Sequence, residues 1–132
     1  ERITVLNSAV AAEVTLRVYY DDRQVFSSLG KWLHPLFELE EFLSTVSYPP
    51  EGVLVEDKIV GKAAALLLVR LGIRRVKAGV LSELAKAVLE RYDVRFSYTT
   101  IVERIECQTE ILLADVEDPE RAFRIVKARA GR

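Results

Sequence analysis

The sequence predicts a three-layer α/β/α domain built on a mixed sheet of about five strands. The first observation is a strand–helix–strand unit in residues 52–80, GVLVEDKIVGKAAALLLVRLGIRRVKAGV. Its helix is apolar on every side in residues 63–69, so other elements must cover it, and a buried helix between two strands implies a right-handed parallel crossover. The second observation is a β-hairpin pattern before this unit, which adds antiparallel strands.

The region before the central unit predicts a hairpin and a helix. Residues 1–13 are rich enough in Ala and Val for a short helix. Apolar residues then alternate with polar ones in residues 14–20, the turn-forming pair Asp21-Asp22 follows, and residues 24–27 form the second arm. Pro35 marks the first turn of the next helix, whose apolar face consists of Leu36, Leu39, Phe42, Leu43 and Val46.

In the central unit, the apolar run at residues 53–55 predicts a short strand. Gly72 provides the residue that ends the helix, and residues 73–80 predict the following strand.

The remainder of the chain predicts two further helices and a strand. Ser82 is a favourable N-cap for a helix over residues 83–92, and residues 94–99 alternate as a strand does. Thr100 and Glu103 have the spacing of a capping box, which predicts a short helix as far as residue 106. The sequence Asp118-Pro119-Glu120 then opens a final amphipathic helix.

Composition limits the class of protein. The chain has 132 residues, which indicates a single domain, and 50% of them are hydrophobic. A formal net charge of −1 argues against a protein that coats nucleic acid or binds anionic membranes. The one cysteine excludes an internal disulfide and a cysteine-rich zinc site.

The sequence also indicates a cellular setting. The longest apolar run is far shorter than the ~20 residues that a bilayer requires, and we find no signal peptide, so we expect a cytoplasmic protein. The absence of Met beside many Glu, Arg and Lys residues hints at a thermophile.

The predicted site lies where the first strand of the central unit meets its helix, because open α/β sheets bind ligands at the carboxyl ends of their strands. Asp57, Lys58, Gly61 and Lys62 stand at this turn. Asp57 is equally compatible with a plain helix N-cap, and Lys62 with a side chain that extends to solvent. Gly61-Lys62 is not a P-loop, because Ala63 stands where a Ser or Thr is required.

Four residues later in the chain complete the hypothesis. Ser82 is either an anion contact or an ordinary cap. Cys107 is either a nucleophile, activated by Lys62 or positioned by Glu110, or a small buried residue. Tyr98 either flanks the pocket or belongs to the core. We expect Asp57, Lys62, Ser82 and Cys107 to converge on one pocket, with Cys107, Lys62 and Asp57 as catalytic candidates and Lys58, Gly61, Ser82, Tyr98 and Glu110 as ligand contacts.

These elements and motifs resemble the cytidine-deaminase-like superfamily. Within it, the chain looks like a small bacterial and archaeal family of unknown function that lacks the zinc motif. The resemblance extends over residues 14–112 and is carried by DKIVGKAAA from Asp57, by Ser82-Glu83, and by Cys107-Gln108-Thr109-Glu110.

The chain departs from active deaminases at their metal site. Those enzymes bind zinc through one His or Cys and two further Cys, with a Glu that shuttles protons. In this chain the positions that correspond to the two cysteines fall among residues that do not bind zinc, namely Lys58, Ile59, Gly61 and Lys62. His34 is followed by Pro35-Leu36, so the proton-shuttling Glu is also missing. We therefore expect no bound metal, no cofactor and no zinc-dependent deamination.

Two classes of function remain. The first is a zinc-independent protein or enzyme that binds a small, nucleotide-like molecule at this edge of the sheet, without nucleic-acid or membrane partners. Whether it catalyses a reaction stays open. The alternative is a non-catalytic module with a vestigial site, which serves homo-oligomerisation or partner binding.

Overall fold

The computed structural model describes residues 14–105 and 108–132, apart from the side chains of Gln108 and Glu110. The helix expected in residues 1–13 lies outside the described residues. The strands are β1 (Leu16–Tyr20), β2 (Arg23–Ser28), β3 (Val53–Val60), β4 (Arg75–Ser82) and β5 (Arg95–Val102). The helices are α1 (His34–Leu43), α2 (Lys62–Arg70), α3 (Glu83–Arg91), α4 (Gln108–Leu112) and α5 (Pro119–Arg129), and a 3₁₀ turn occupies Pro50–Gly52.

The strands form one mixed sheet in the order β2-β1-β3-β4-β5. β1 runs antiparallel to both β2 and β3, whereas β3, β4 and β5 are parallel to one another. α2 connects β3 to β4, and α3 connects β4 to β5, as in two successive crossover units. The predicted α/β fold is confirmed, and the arrangement is consistent with a three-layer sandwich.

α2 lies at the centre of the core. Every residue from Lys62 to Leu68 is buried, and the helix packs against both α3 and α5. Leu66 and Leu68 are almost completely inaccessible to solvent, as expected for a helix without a polar face. The prediction that this helix is enclosed by its neighbours is confirmed.

The two faces of the sheet differ in chemistry. The face that packs into the core carries small and branched apolar side chains, namely Leu16, Val18, Val53, Val55, Val76 and Ala78. The opposite face carries polar side chains from the intervening positions. One row across it is set by the strand register and consists of Arg17, Glu56, Lys77 and Ser97. The alternation places Glu56 on the polar face, whereas Asp57, in register with Leu16 and Ala78, lies on the face that packs into the core.

Two strands are longer than the sequence indicates. β3 continues through Glu56, Asp57 and Lys58 to Val60, because it pairs with β1 on one side and β4 on the other. β5 continues to Val102, with Thr100 opposite Val80, so the helix predicted from the spacing of Thr100 and Glu103 is wrong. Pairing of a β-branched segment with β4 outweighs the local capping signal.

The helix ends follow the sequence signals closely. Gly72 has φ +82°, a conformation that glycine adopts without strain, just beyond α2. The Ser82 hydroxyl accepts a hydrogen bond from Ala85 N–H, and the Asp118 carboxylate accepts one from Arg121 N–H. Within the described ranges, no helix is long and apolar enough to span a bilayer.

Candidate functional site

A cavity of about 240 Å³, here called cavity A, opens where β3 ends and α2 begins. Its walls come from the end of β3, the first turn of α2, the connection between β2 and α1, and the segment around α4. The lining residues are Thr15, Gly30, Lys31, Trp32, Leu33, Pro35, Asp57, Lys58, Ile59, Gly61, Ala63, Ala64, Ile105 and Thr109. The position matches the carboxyl edge at which α/β sheets bind ligands.

Trp32 forms an aromatic wall of this cavity. The residue remains 41% exposed, and its backbone adopts φ +57°, a left-handed conformation that bulky residues rarely take. The Trp32 ring contacts the His34 ring edge-on, with 5.4 Å between centroids. A strained, half-exposed aromatic residue at a cavity is typical of a binding surface.

Asp57 is the acidic group of cavity A. It lies on β3, pairs in register with Leu16 and Ala78, and is half-buried. Burial raises the pKa of its carboxyl group to about 7, although hydrogen bonds from the backbone N–H groups of Ile59 and Lys58 oppose the shift. A carboxyl group with this pKa is populated in both protonation states at neutral pH, so it accepts and donates hydrogen bonds.

Asp57 does not cap the following helix. The N-cap of α2 is Gly61, in an extended conformation, and no side chain hydrogen-bonds to that end of the helix. The capping alternative for Asp57 is therefore excluded by the geometry. Asp57 lies instead in the wall of cavity A.

Lys62 points to a different partner. Its buried ammonium group lies 2.7 Å from Glu117 Oε2 and 2.9 Å from the carbonyl oxygen of Ala114. Glu117 also contacts Arg91 at 3.2 Å, and the hydrogen bond from Lys62 is the main cause of its lowered pKa. Lys62 is thus part of a structural ion pair that joins α2 to the loop before α5, and it does not line cavity A.

The other predicted site residues divide between two locations. Lys58 and Gly61 line cavity A together with Asp57. Ser82 is buried as the cap of α3, and Tyr98 lies on β5 and is 40% exposed; neither residue lines the cavity. The structure therefore brings Asp57, Lys58 and Gly61 together, and it does not bring Lys62 or Ser82 to them.

Cys107 lies outside the described residues, as does the side chain of Glu110, so their roles stay predictions. Ile105 and Thr109, on either side of Cys107 in the chain, both line cavity A. Across the part of the chain that the structure describes, no three His, Cys, Asp or Glu side chains are grouped closely enough to hold a metal ion.

Several cavity residues escaped the sequence reasoning, above all Trp32 and Thr15. Trp32 is the only tryptophan of the chain and stands in a Gly-containing connection, which was an available signal. No sequence signal marked Thr15 as a cavity residue, because its contacts depend on the antiparallel pairing of β1 with β3. Its hydroxyl donates to the carbonyl oxygen of Gly30 at 2.7 Å and fixes the connection that carries Trp32.

Comparisons with known proteins identify the family. The family model "Domain of unknown function (DUF1893)" matches residues 10–129, and the chain therefore belongs to this family. A crystal structure of a DUF1893 family protein (TM1506) from Thermotoga maritima is similar, with 29% sequence identity and a TM-score of 0.78. The similarity covers 96% of this chain and 87% of that chain. No protein among the curated sequences matches.

Proposed function

We propose that this DUF1893 domain binds a small organic molecule of a nucleotide-like class in cavity A, without zinc. The observation that carries the proposal is the half-buried Asp57, whose pKa is raised to about 7 inside a largely apolar cavity. Desolvating a carboxyl group costs free energy, and a protein that keeps this arrangement gains something else from it. A ligand that hydrogen-bonds to Asp57 supplies that gain.

The chemistry of the walls favours a molecule with a flat apolar part. Trp32 offers a ring face or edge beside the opening, while Leu33, Ala63 and Ala64 form apolar surface within it. Most ligand pockets combine such walls with a small number of polar groups that fix orientation. Here Asp57 is the polar group best placed to pair with an N–H edge of the bound molecule.

The nucleotide-like class rests on the resemblance to cytidine-deaminase-like proteins, carried by the segment around Asp57. That segment forms the end of β3 and the first turn of α2, where cavity A lies. Since Lys62 is engaged by Glu117, we do not include it in the binding site. Catalysis through Cys107 stays a separate hypothesis.

Thermal-shift screening against nucleosides, nucleotides and sugar phosphates tests the proposal. A specific ligand at about 100 times its Kd stabilises the native state by roughly 2.7 kcal/mol. We expect Trp32→Ala to remove this stabilisation. The matched control is Leu29→Ala, which truncates another exposed apolar side chain of the same connection outside the lining of cavity A. The proposal fails if no compound stabilises the protein, or if both variants respond to the ligand as the wild type does.

A second candidate is partner binding, and exposed apolar side chains favour it. Ile59, at the rim of cavity A, is 49% exposed, and Ile111 and Leu112 of α4 are 67% and 47% exposed. Ile111 and Leu112 adjoin each other in α4, and contiguous exposed apolar surface often marks an interface. Sedimentation analysis of the wild type and of Ile111→Ser separates the candidates, because a homo-oligomer held by this surface would dissociate in the variant.

A further inference from the structure

The outer side of β5 is a sheet edge without the usual protection. β5 ends the strand order, and within the described residues no other strand pairs with its outer side. Four successive residues, Ser97 to Thr100, are exposed, so neither face of the strand is covered at its middle. Residues 96–102 contain no charged residue, proline or glycine. An edge of this kind pairs readily with a further strand.

The opposite edge of the sheet is different. β2 has six residues, and its pairing with β1 contains a register shift, which bends and twists an edge strand. β5 has eight residues, and its pairing with β4 keeps one register from the pair Arg75–Arg95 to the pair Ser82–Val102. β5 is therefore the edge better suited to accept another strand.

Backbone hydrogen bonds show which residues of β5 face outward. Arg95 N–H donates to the carbonyl oxygen of Arg74, the residue before β4. Successive residues of a strand direct their N–H and C=O groups to alternate sides, so those of the even-numbered residues in 96–102 point away from β4. An antiparallel second copy of β5, related by a two-fold axis, must therefore pair even-numbered residues with even-numbered ones. The axis then passes through one residue of the strand.

Charge selects the pairing centred on Thr99. Arg95 and Glu103 lie four residues to either side of Thr99 and carry opposite charges. Both are exposed, and in the part of the chain that the structure describes neither has an ion-pair partner. An axis through Thr99 places Arg95 of each copy opposite Glu103 of the other. An axis through Tyr98 or Thr100 places Arg95 opposite an isoleucine instead.

The same pairing also matches uncharged side chains. Phe96 lies opposite Val102, and Tyr98 lies opposite Thr100, which are the aromatic and β-branched pairs that stabilise antiparallel strands. The rings of Phe96 and Tyr98 stack with 6.5 Å between their centroids, and Tyr98 is 40% exposed. A partner strand would cover this aromatic pair.

We propose that two copies of this chain pair antiparallel through β5, centred on Thr99, and so join two five-stranded sheets into one of ten strands. This interface is separate from the exposed apolar residues of α4, Ile111 and Leu112. It is also independent of ligand binding, because no residue of β5 lines cavity A.

Sedimentation equilibrium of the full chain tests the interface by exchanging charges. We expect the wild type to form a dimer. Glu103→Arg places like charges opposite each other at both ends of the strand pair and should raise the dimer dissociation constant at least about tenfold. The double variant Arg95→Glu/Glu103→Arg restores opposite charges and should restore the dimer. Arg23→Glu, on the other edge strand, is the matched control and should leave the dissociation constant unchanged.

A cysteine cross-link tests the register. The background is Cys107→Ser, which removes the one cysteine of the chain. Thr99→Cys then places two thiols opposite each other at the axis, in a non-hydrogen-bonded pair with Cα atoms about 4.5 Å apart, within the range of a disulfide. Mild oxidation should give a covalent dimer. Ser97→Cys, which faces Ile101 in this register, is the matched control and should not cross-link.

The interface is wrong if the wild type sediments as a monomer at about 0.1 mM chain. It is also wrong if Ser97→Cys cross-links as readily as Thr99→Cys. A dimer that Ile111→Ser dissociates and Glu103→Arg leaves intact would place the interface at α4, and one that Arg23→Glu dissociates would place it at β2. None of these results affects the proposed binding of a ligand in cavity A.

Discussion

Two carboxyl groups near the first turn of α2 experience opposite environments. Asp57 lies in the wall of cavity A with backbone N–H groups as hydrogen-bond donors, and burial raises its pKa to about 7. Glu117 lies at the surface, receives the buried ammonium group of Lys62 and contacts Arg91, and its pKa is lowered. Of the two, it is Glu117 that forms an ion pair with a residue of α2.

The difference separates a structural group from a candidate functional one. Glu117 compensates a buried cation, so its ionised form is favoured in the folded protein. Asp57 is held where its ionised form is disfavoured, at a cost in stability above neutral pH. Groups that cost stability and lie in cavities are typical of binding sites, whereas paired groups are typical of the scaffold.

The largest effect is expected when a carboxylate is placed where no donor or opening compensates it. Leu67 is buried in α2, and Leu67→Asp should destabilise the protein by more than about 4 kcal/mol and abolish folding. Leu112→Asp, at an exposed position of α4, should fold normally. Circular dichroism during chemical denaturation measures both. Cooperative unfolding of Leu67→Asp near the wild-type midpoint would contradict the expected cost of a buried, unpaired carboxylate, on which the contrast between Asp57 and Glu117 depends.

The second-largest effect is expected at Lys62, the buried cation that pairs with Glu117. Lys62→Met retains most of the aliphatic stem but removes the hydrogen bonds to Glu117 and the Ala114 carbonyl, and should cost about 2–3 kcal/mol. Lys127→Met, at an exposed position of α5, should change the free energy of unfolding by less than about 0.5 kcal/mol. Equal losses in the two variants would contradict a structural role for Lys62.

A double-mutant cycle with Glu117→Gln refines that result. The coupling free energy between positions 62 and 117 should be about 1–2 kcal/mol, since half of the Glu117 side chain is exposed to solvent. Ligand binding in cavity A should be unaffected by Lys62→Met once the variant is folded. A strong loss of ligand affinity would place Lys62 in the binding site after all.

The scaffold was more predictable from sequence than the site. Caps, turns and apolar periodicity act within a few residues, so the signals at Gly72, Ser82 and Asp118 gave correct helix ends. The extension of β5 was missed because it depends on pairing with β4, which residues near Thr100 do not encode locally.

Prediction of the site from the sequence is limited in the same way, because it depends on contacts between distant residues. Strand order placed Asp57, Lys58 and Gly61 at the ligand-binding edge, but the direction of the Lys62 side chain depends on Glu117, 55 residues away in sequence. A lysine in the first turn of an apolar helix is compatible with either a ligand or a distant carboxylate. Only the packing of α5 against α2 distinguishes them.

A smaller effect, opposite in sign, is expected at Asp57. The folded pKa is raised above the ordinary value of 3.8, so the native state binds more protons than the unfolded state between about pH 4 and 7. Stability contributed by protonated Asp57 is thus present at low pH and lost as pH rises through 7. Asp57→Asn should be more stable than the wild type by about 1–2 kcal/mol at pH 8, and the difference should shrink toward pH 4.

Glu117→Gln provides the matched control for that pH dependence. Because the folded pKa of Glu117 is lowered, its stabilisation is present above the ordinary value of 4.5 and lost as pH falls through the folded pKa. The two variants should therefore differ from the wild type with opposite slopes in denaturation curves recorded from pH 3 to 8. Parallel slopes would mean that the two carboxyl groups do not experience opposite environments.

The smallest effect is expected at the second cation beside Glu117. Arg91 contacts Glu117 at 3.2 Å, but more than half of each side chain is exposed, so solvent and salt screen the attraction. Arg91→Ala should cost no more than about 0.5 kcal/mol, and the cost should fall further in about 0.5 M NaCl. The Lys62→Met cost should persist in the same salt, because its ammonium group is buried. Denaturation of both variants at two salt concentrations measures this contrast, and an Arg91→Ala cost equal to that of Lys62→Met would locate the stabilisation of Glu117 at the surface rather than at Lys62.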